Sequence, residues 1–163
     1  MLVGVVSDTH NNLKNIETII SLFNEKKVDL VVHTGDIASS IALTKFANLN
    51  CDLVGVYGNN DRNELGLSET ASVNNFKFQE PPFSLIINNK NVVIFHEPDC
   101  IDNYLMENHD TDVVLHGHTH RYRNEIREGV ILFNPGESAG MLKGKNAIGI
   151  IDMKNLSIKR IFF

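Results

Sequence analysis

Cysteine is scarce: Cys51 and Cys100 are the only two in 163 residues, and they have no Cys-x-x-Cys spacing. A disulfide framework is excluded, and both thiols are expected to be buried or half-buried. Long apolar runs are also missing, since none approaches the roughly 18 residues of a membrane span. The apolar start, Met1 to Val6, carries no basic n-region and meets Asp8 and His10 too early for a secretory signal. A cytoplasmic protein is therefore expected. Lys and Arg form no block and the formal net charge is −5, which argues against binding along extended nucleic acid. Repeats, linkers and low-complexity tracts are absent. Residues 1–163 read as one globular domain, long enough to bury a core, with 42% apolar and 21% charged residues.

The first half alternates strand and helix. Residues 2–7 are a short continuous apolar run, suited to a strand covered on both faces. Residues 12–26 place Leu13, Ile16, Ile19, Ile20 and Phe23 on one stripe, a helix that Asn11 or Asn12 can cap. A strand over 29–34, a helix over 39–49 capped by Ser39 or Ser40, and a strand over 51–57 follow. That β-α-β-α-β order implies parallel strands with right-handed crossovers. Residues 62–82 lack periodicity and read as a loop with a short helix, a candidate wall or lid. Strands over 83–87 and 92–95 flank Asn88-Asn89-Lys90-Asn91, a hairpin signal. A helix over 101–108 and strands over 112–115, 122–126, 130–133, 147–152 and 158–162 complete the reading.

Unusual polar residues collect at the ends of these strands: Ser7-Asp8-Thr9-His10, His33-Thr34-Gly35-Asp36, Gly58-Asn59-Asn60-Asp61, Phe95-His96-Glu97 and His116-Gly117-His118-Thr119-His120. Parallel strands gather their carboxyl ends along one edge, where open α/β folds bind ligands. Each cluster alone fits a turn or a cap. All five in order, carrying Asp, His and Asn, point to hard or borderline divalent metals. His33 and His116 lie inside strands and read as satisfied histidines of the core or as supports behind the site. His109 reads as a surface residue. Asp61 fits a helix cap or a supporting role as well as a catalytic one. Arg62 reads as solvent-facing more readily than as a phosphate contact. Thr9, Asn11 and Thr119 are candidates for the rim, and Glu137 has no reading.

Asp8-Thr9-His10, Gly35-Asp36, Gly58-Asn59-Asn60-Asp61, His96 and Gly117-His118-Thr119-His120, in that order, resemble the motifs of the calcineurin-like metallophosphoesterase superfamily. Asn134-Pro135-Gly136 and the short chain are most similar to its small stand-alone phosphodiesterase branch. The resemblance implies an α/β fold of two packed mixed β-sheets flanked by α-helices. It implies two divalent metal ions, with Asp8, His10 and His120 on one, Asn59, His96 and His118 on the other, and Asp36 bridging both. Manganese is the expected metal; nickel, iron, cobalt and zinc are alternatives that availability decides. Two such ions outweigh the carboxylates of Asp8 and Asp36 and make a cationic pocket in an acidic protein. The implied reaction is phosphodiester hydrolysis by in-line attack of a metal-bridging hydroxide, with Asp36, Asn59 and His96 central to catalysis. The substrate is then a small phosphate ester, nucleotide-like esters among the candidates, with neither extended nucleic acid nor membrane as partner. Association with a second copy is compatible with this reading.

The chain departs from the family pattern at two places. Asn60 stands where many relatives carry a histidine able to protonate the leaving oxygen, which implies a preference for esters with good leaving groups. Glu97-Pro98 follows His96 where relatives usually have Gly, adding a negative charge and removing a backbone N–H at the rim. The alternatives are a phosphomonoesterase, or a scaffold such as the small retromer subunit, which shares this fold. Retention of every ligand position favours catalysis.

Overall fold

The computed structural model describes residues 1–163. Three short apolar runs form the parallel strands β1 (Leu2–Val6), β2 (Leu30–His33) and β3 (Asp52–Val56). The crossovers are α1 (Leu13–Lys26) and α2 (Ser40–Lys45), the latter extended by a 3-10 turn at Phe46–Asn48. Asn12 caps α1 by accepting the Asn15 N–H at 3.1 Å, and Ser39 caps α2 by accepting the Ala42 N–H at 3.2 Å.

Residues 62–82 are more ordered than expected. They contain α3 (Leu67–Val73) and β4 (Lys77–Gln79), which pairs in parallel with β3. The tight hairpin of β5 (Phe83–Ile87) and β6 (Lys90–Ile94) turns on Asn88 and Asn89 alone, with φ of 50° and 61°. The chain continues through α4 (Ile101–Glu107), β7 (Val113–Leu115), β8 (Arg123–Arg127), β9 (Val130–Asn134), β10 (Ala147–Asp152) and β11 (Ser157–Phe162). These strands make two mixed sheets, ordered β11-β10-β1-β2-β3-β4 and β5-β6-β7-β9-β8.

The sheets pack face to face and helices cover their outer faces. Val3, Val5, Val32, Val54 and Val56 of the first sheet meet Val92, Ile94, Val113, Leu115, Ile131 and Phe133 of the second. The other face of the first sheet buries Val6, Val31 and Leu53 against Ile16, Ile19, Phe23 and Leu43 of α1 and α2. On the outer face of the second sheet, Val93, Val114 and Leu132 pack against Ile101 of α4. Both faces of the first sheet are therefore apolar, which is why β1 reads as a continuous apolar run rather than an alternating one. No helix is long and apolar enough to cross a membrane. Cys51 is half-buried as expected, whereas Cys100 is exposed because it lies in the 3-10 turn Pro98–Cys100 ahead of α4.

Phe133 locks the two sheets together. Its ring lies where a Cβ on Gly149 of β10 would stand. Gly149→Val should therefore force the sheets apart and destabilise the protein by about 1–3 kcal/mol. The urea midpoint measures this; an unchanged midpoint would show that Phe133 has room to move.

Candidate metal centre

The five polar clusters do share one edge, but they come from two sheets. Those after β1, β2 and β3 belong to the first, and those after β6 and β7 to the second. The backbone there is strained. Asp8, His10, Asp36, His118 and His120 have φ of 53°, 39°, 60°, 66° and 56°. Left-handed backbone at such residues costs on the order of 1–3 kcal/mol each and persists only where the surroundings fix it. Here Asp8 N–H donates to Gly35 O and His10 N–H to Asp36 O, both at 3.1 Å. The His118 N–H donates to both Asp8 carboxylate oxygens at 3.2 Å. Gly58 and Gly117 are required by close approach, because a Cβ on either would collide with Asp36 or with Ser7.

All seven expected ligands converge. Asp36 lies between two groups: its Oδ2 is 3.5 Å from His10 Nε2 and its Oδ1 is 3.4 Å from His96 Nε2. On one side His10 Nε2 and His120 Nε2 are 3.3 Å apart, and Asp8 Oδ1 is 3.7 Å from His120 Nε2. On the other, Asn59 Oδ1 lies 3.0 Å from both His96 Nε2 and His118 Nδ1. Asp8, His10 and His120 can present one ligand atom each within 4.8 Å of one another, and so can Asp8, Asp36 and His96. His96 Nδ1 donates to Thr34 O at 2.8 Å, which leaves Nε2 free of a proton in the neutral ring and aimed at Asp36. Nitrogen and oxygen donors facing one another this closely fit divalent cations.

The supporting residues explain how the arrangement holds. Asp61 is buried and acts as a clamp. Its carboxylate accepts the N–H groups of Asp36, Ile37, Ala38 and Gly58 at 2.7–2.9 Å, tying the turn after β2 to the turn after β3. Asn60 donates to Asp36 twice, from its backbone at 2.9 Å and from its side chain at 2.7 Å. Asn134 and Glu137 complete a sixth polar turn at the same edge, after β9. Asn134 Nδ2 donates to Gly117 O at 3.0 Å. Glu137 is fully buried, accepts the Met141 N–H at 3.1 Å, and places Oε2 3.6 Å from His120 Nδ1. The signal for this turn was a polar Asn-Pro-Gly-Glu run straight after a buried strand. Arg62 is exposed, as expected, and pairs there with Glu97 Oε2 at 2.9 Å. His109 is exposed and His33 is buried with both ring nitrogens bonded, as expected, whereas His116 is buried but its Nε2 has no hydrogen-bond partner.

Burial works against ionisation of Asp36, but the His96 ring in its protonated form, donating from Nε2 as well, and the hydrogen bonds from Asn60 outweigh it and hold the carboxyl well below the usual range. Asp8 is shifted up by burial, opposed by its hydrogen bond from Ser7. Burial pushes His33 down to about 3 and His116 down to about 4.

A model of the calcineurin-like phosphoesterase superfamily domain matches residues 1–156. The chain belongs to that superfamily. A phosphodiesterase from Methanocaldococcus jannaschii is 34% identical to this phosphoesterase over 163 residues, covering 99% of this chain and 98% of the relative. The solved structure of an archaeal phosphodiesterase superposes with a TM-score of 0.91 at 33% identity, covering 100% of both chains. Vacuolar Protein Sorting 29 from Cryptosporidium parvum superposes with a TM-score of 0.64 at 16% identity, covering 99% of this chain and 96% of that one, which is a likeness of fold alone. The phosphoesterase is thus a hydrolase of a metal-dependent family, with metal-capable clusters at its site.

His33 accepts the Gly35 N–H on Nδ1 and donates from Nε2 to Thr9 Oγ1, both at 3.1 Å. A second proton would displace the Gly35 donor. The folded protein therefore binds fewer protons than the unfolded chain at this side chain and at His116. Stability should be fully present above pH 6.5 and fall as pH drops toward 4, by about 1.4 kcal/mol per pH unit per histidine. Urea unfolding of metal-free protein across that window measures it, and a flat profile would show that neither ring is sealed from protons.

Proposed function

We propose that residues 1–163 form one phosphodiesterase domain that holds two divalent ions, manganese first among them. Asp8, His10 and His120 would hold one ion, Asn59, His96 and His118 the other, with Asp36 between them. The observation that carries this reading is the Asp36 carboxylate, which turns one oxygen toward His10 and the other toward His96. When bound, two such ions lower the pKa of a water between them and neutralise phosphoryl oxygens as charge builds.

The chain's own residues do the positioning. Asn60 and Asp61 hold Asp36, one through its side chain and the other through its backbone. Asn59 joins His96 and His118 on the second side. No histidine stands at Asn60 to protonate a leaving oxygen, and the Asn60 amide is already committed to Asp36. Small esters that leave without a proton, aryl diesters above all, are the substrates this site serves best. The name of the Methanocaldococcus jannaschii relative supports diesters, and nucleotide-like diesters fit the same charge and size.

Metal-stripped protein should regain activity toward aryl diesters when Mn²⁺ is added back, with rates that rise steeply across a leaving-group series. No hydrolysis of mono- or diesters with Mn²⁺, Ni²⁺, Fe²⁺, Co²⁺ or Zn²⁺ would end the enzyme reading. Asp36→Asn should weaken both ions at once, read by calorimetry, and lower kcat by more than 10²-fold. Two ions bound at wild-type affinity in that variant would contradict the bridging role.

A further inference from the structure

The two loops that meet at the second ligand group are joined twice. Asn59 Oδ1 meets His96 Nε2 at 3.0 Å, and Arg62 Nη2 donates to Glu97 Oε2 at 2.9 Å. The second link joins residues one and three positions further along the chain than the first. Asn59, Asn60 and His118 are exposed and mark the opening, so the Arg62–Glu97 pair stands on its rim. We propose that Glu97, held there by Arg62, is the residue that makes the site discriminate against dianionic phosphomonoesters in favour of singly charged diesters. This rests on the phosphoesterase reading of the site and adds the reason for its substrate charge.

Three features support the assignment. Arg62 is an exposed cation three residues from Asn59, and its charge is already engaged. Glu97 takes it at 2.9 Å and Glu80 Oε2 lies 4.0 Å from its Nε, so two carboxylates face one guanidinium. The local rim is therefore negative, and an incoming phosphate must compete with Glu97 for Arg62. Pro98 follows Glu97 and has no N–H, so the backbone offers no donor there to a further phosphoryl oxygen. A monoester above its second pKa, about 6, carries two charges and three terminal oxygens. A diester carries one charge and two such oxygens. Glu97 repels the first about twice as strongly as the second, and the half-exposed position keeps the effect to a few-fold.

The test uses the full-length protein reconstituted with Mn²⁺, at pH 8, with a nitrophenyl phosphomonoester and a bis-nitrophenyl diester. Glu97→Gln should raise the monoester-to-diester ratio of kcat/KM by roughly five-fold, and Arg62→Gln should lower it. The ratio should fall less with ionic strength in the wild type than in Glu97→Gln, because in the wild type salt screens the Glu97 repulsion along with the attraction of the cationic centre. Binding of inorganic phosphate, measured by calorimetry, should tighten by a similar factor in Glu97→Gln. The proposal is overturned if Glu97→Gln moves both esters equally or leaves the ratio and phosphate affinity unchanged. Failure of the wild type to hydrolyse either ester would instead count against the phosphoesterase reading, while phosphate affinity would still report on Glu97.

Discussion

The Asp36 carboxylate is the point from which the rest of the site is placed. It sits where the carboxyl ends of two sheets meet, nearly sealed from water, with a histidine nitrogen facing each of its oxygens. A buried anion needs partners, and every neighbouring turn supplies one. Asn60 donates twice, and Asp61 fixes the Asp36 backbone so that the side chain has one direction to point. The strained backbone at Asp8, His10, Asp36, His118 and His120 follows from the same demand. Short turns from different strands must bring their side chains to one spot, and extended or helical backbone would aim them elsewhere.

This concentration of strain and buried charge belongs to the site and not to the shared fold. Two packed sheets between helices host phosphoesterases and the Vacuolar Protein Sorting 29 protein alike, so the fold alone decides nothing. Here the metal-capable donors are all present, and several are held by residues outside the donor set. His96 is fixed by Thr34 O, Asp8 by the His118 N–H, and the turn after β7 by Asn134.

Much of this was legible in the sequence, for a physical reason. Continuous apolar runs mark strands buried on both faces, and metal-ligand residues at their ends have no packing role to hide behind. Asp8 through His120 could therefore be picked out before any coordinates. Contacts made only in three dimensions were less legible. Lys77-Phe78-Gln79 has no strand pattern of its own and becomes β4 by pairing with the edge of β3. Glu137 gains meaning only when β9 lies beside β7 and brings its carboxylate near His120. Arg62 and Glu97 lie 35 residues apart, and their pairing depends on how the sheets stack. Asn60 looked like a missing general acid, and its second task, holding Asp36, is visible only in the fold.

The central claim is that Asp36 joins two ions into one centre. Electron paramagnetic resonance during a Mn²⁺ titration of metal-stripped protein tests it most directly. The account predicts that, as two equivalents bind, the spectrum becomes that of an exchange-coupled pair. Saturation with only isolated, uncoupled Mn²⁺ signals would contradict it.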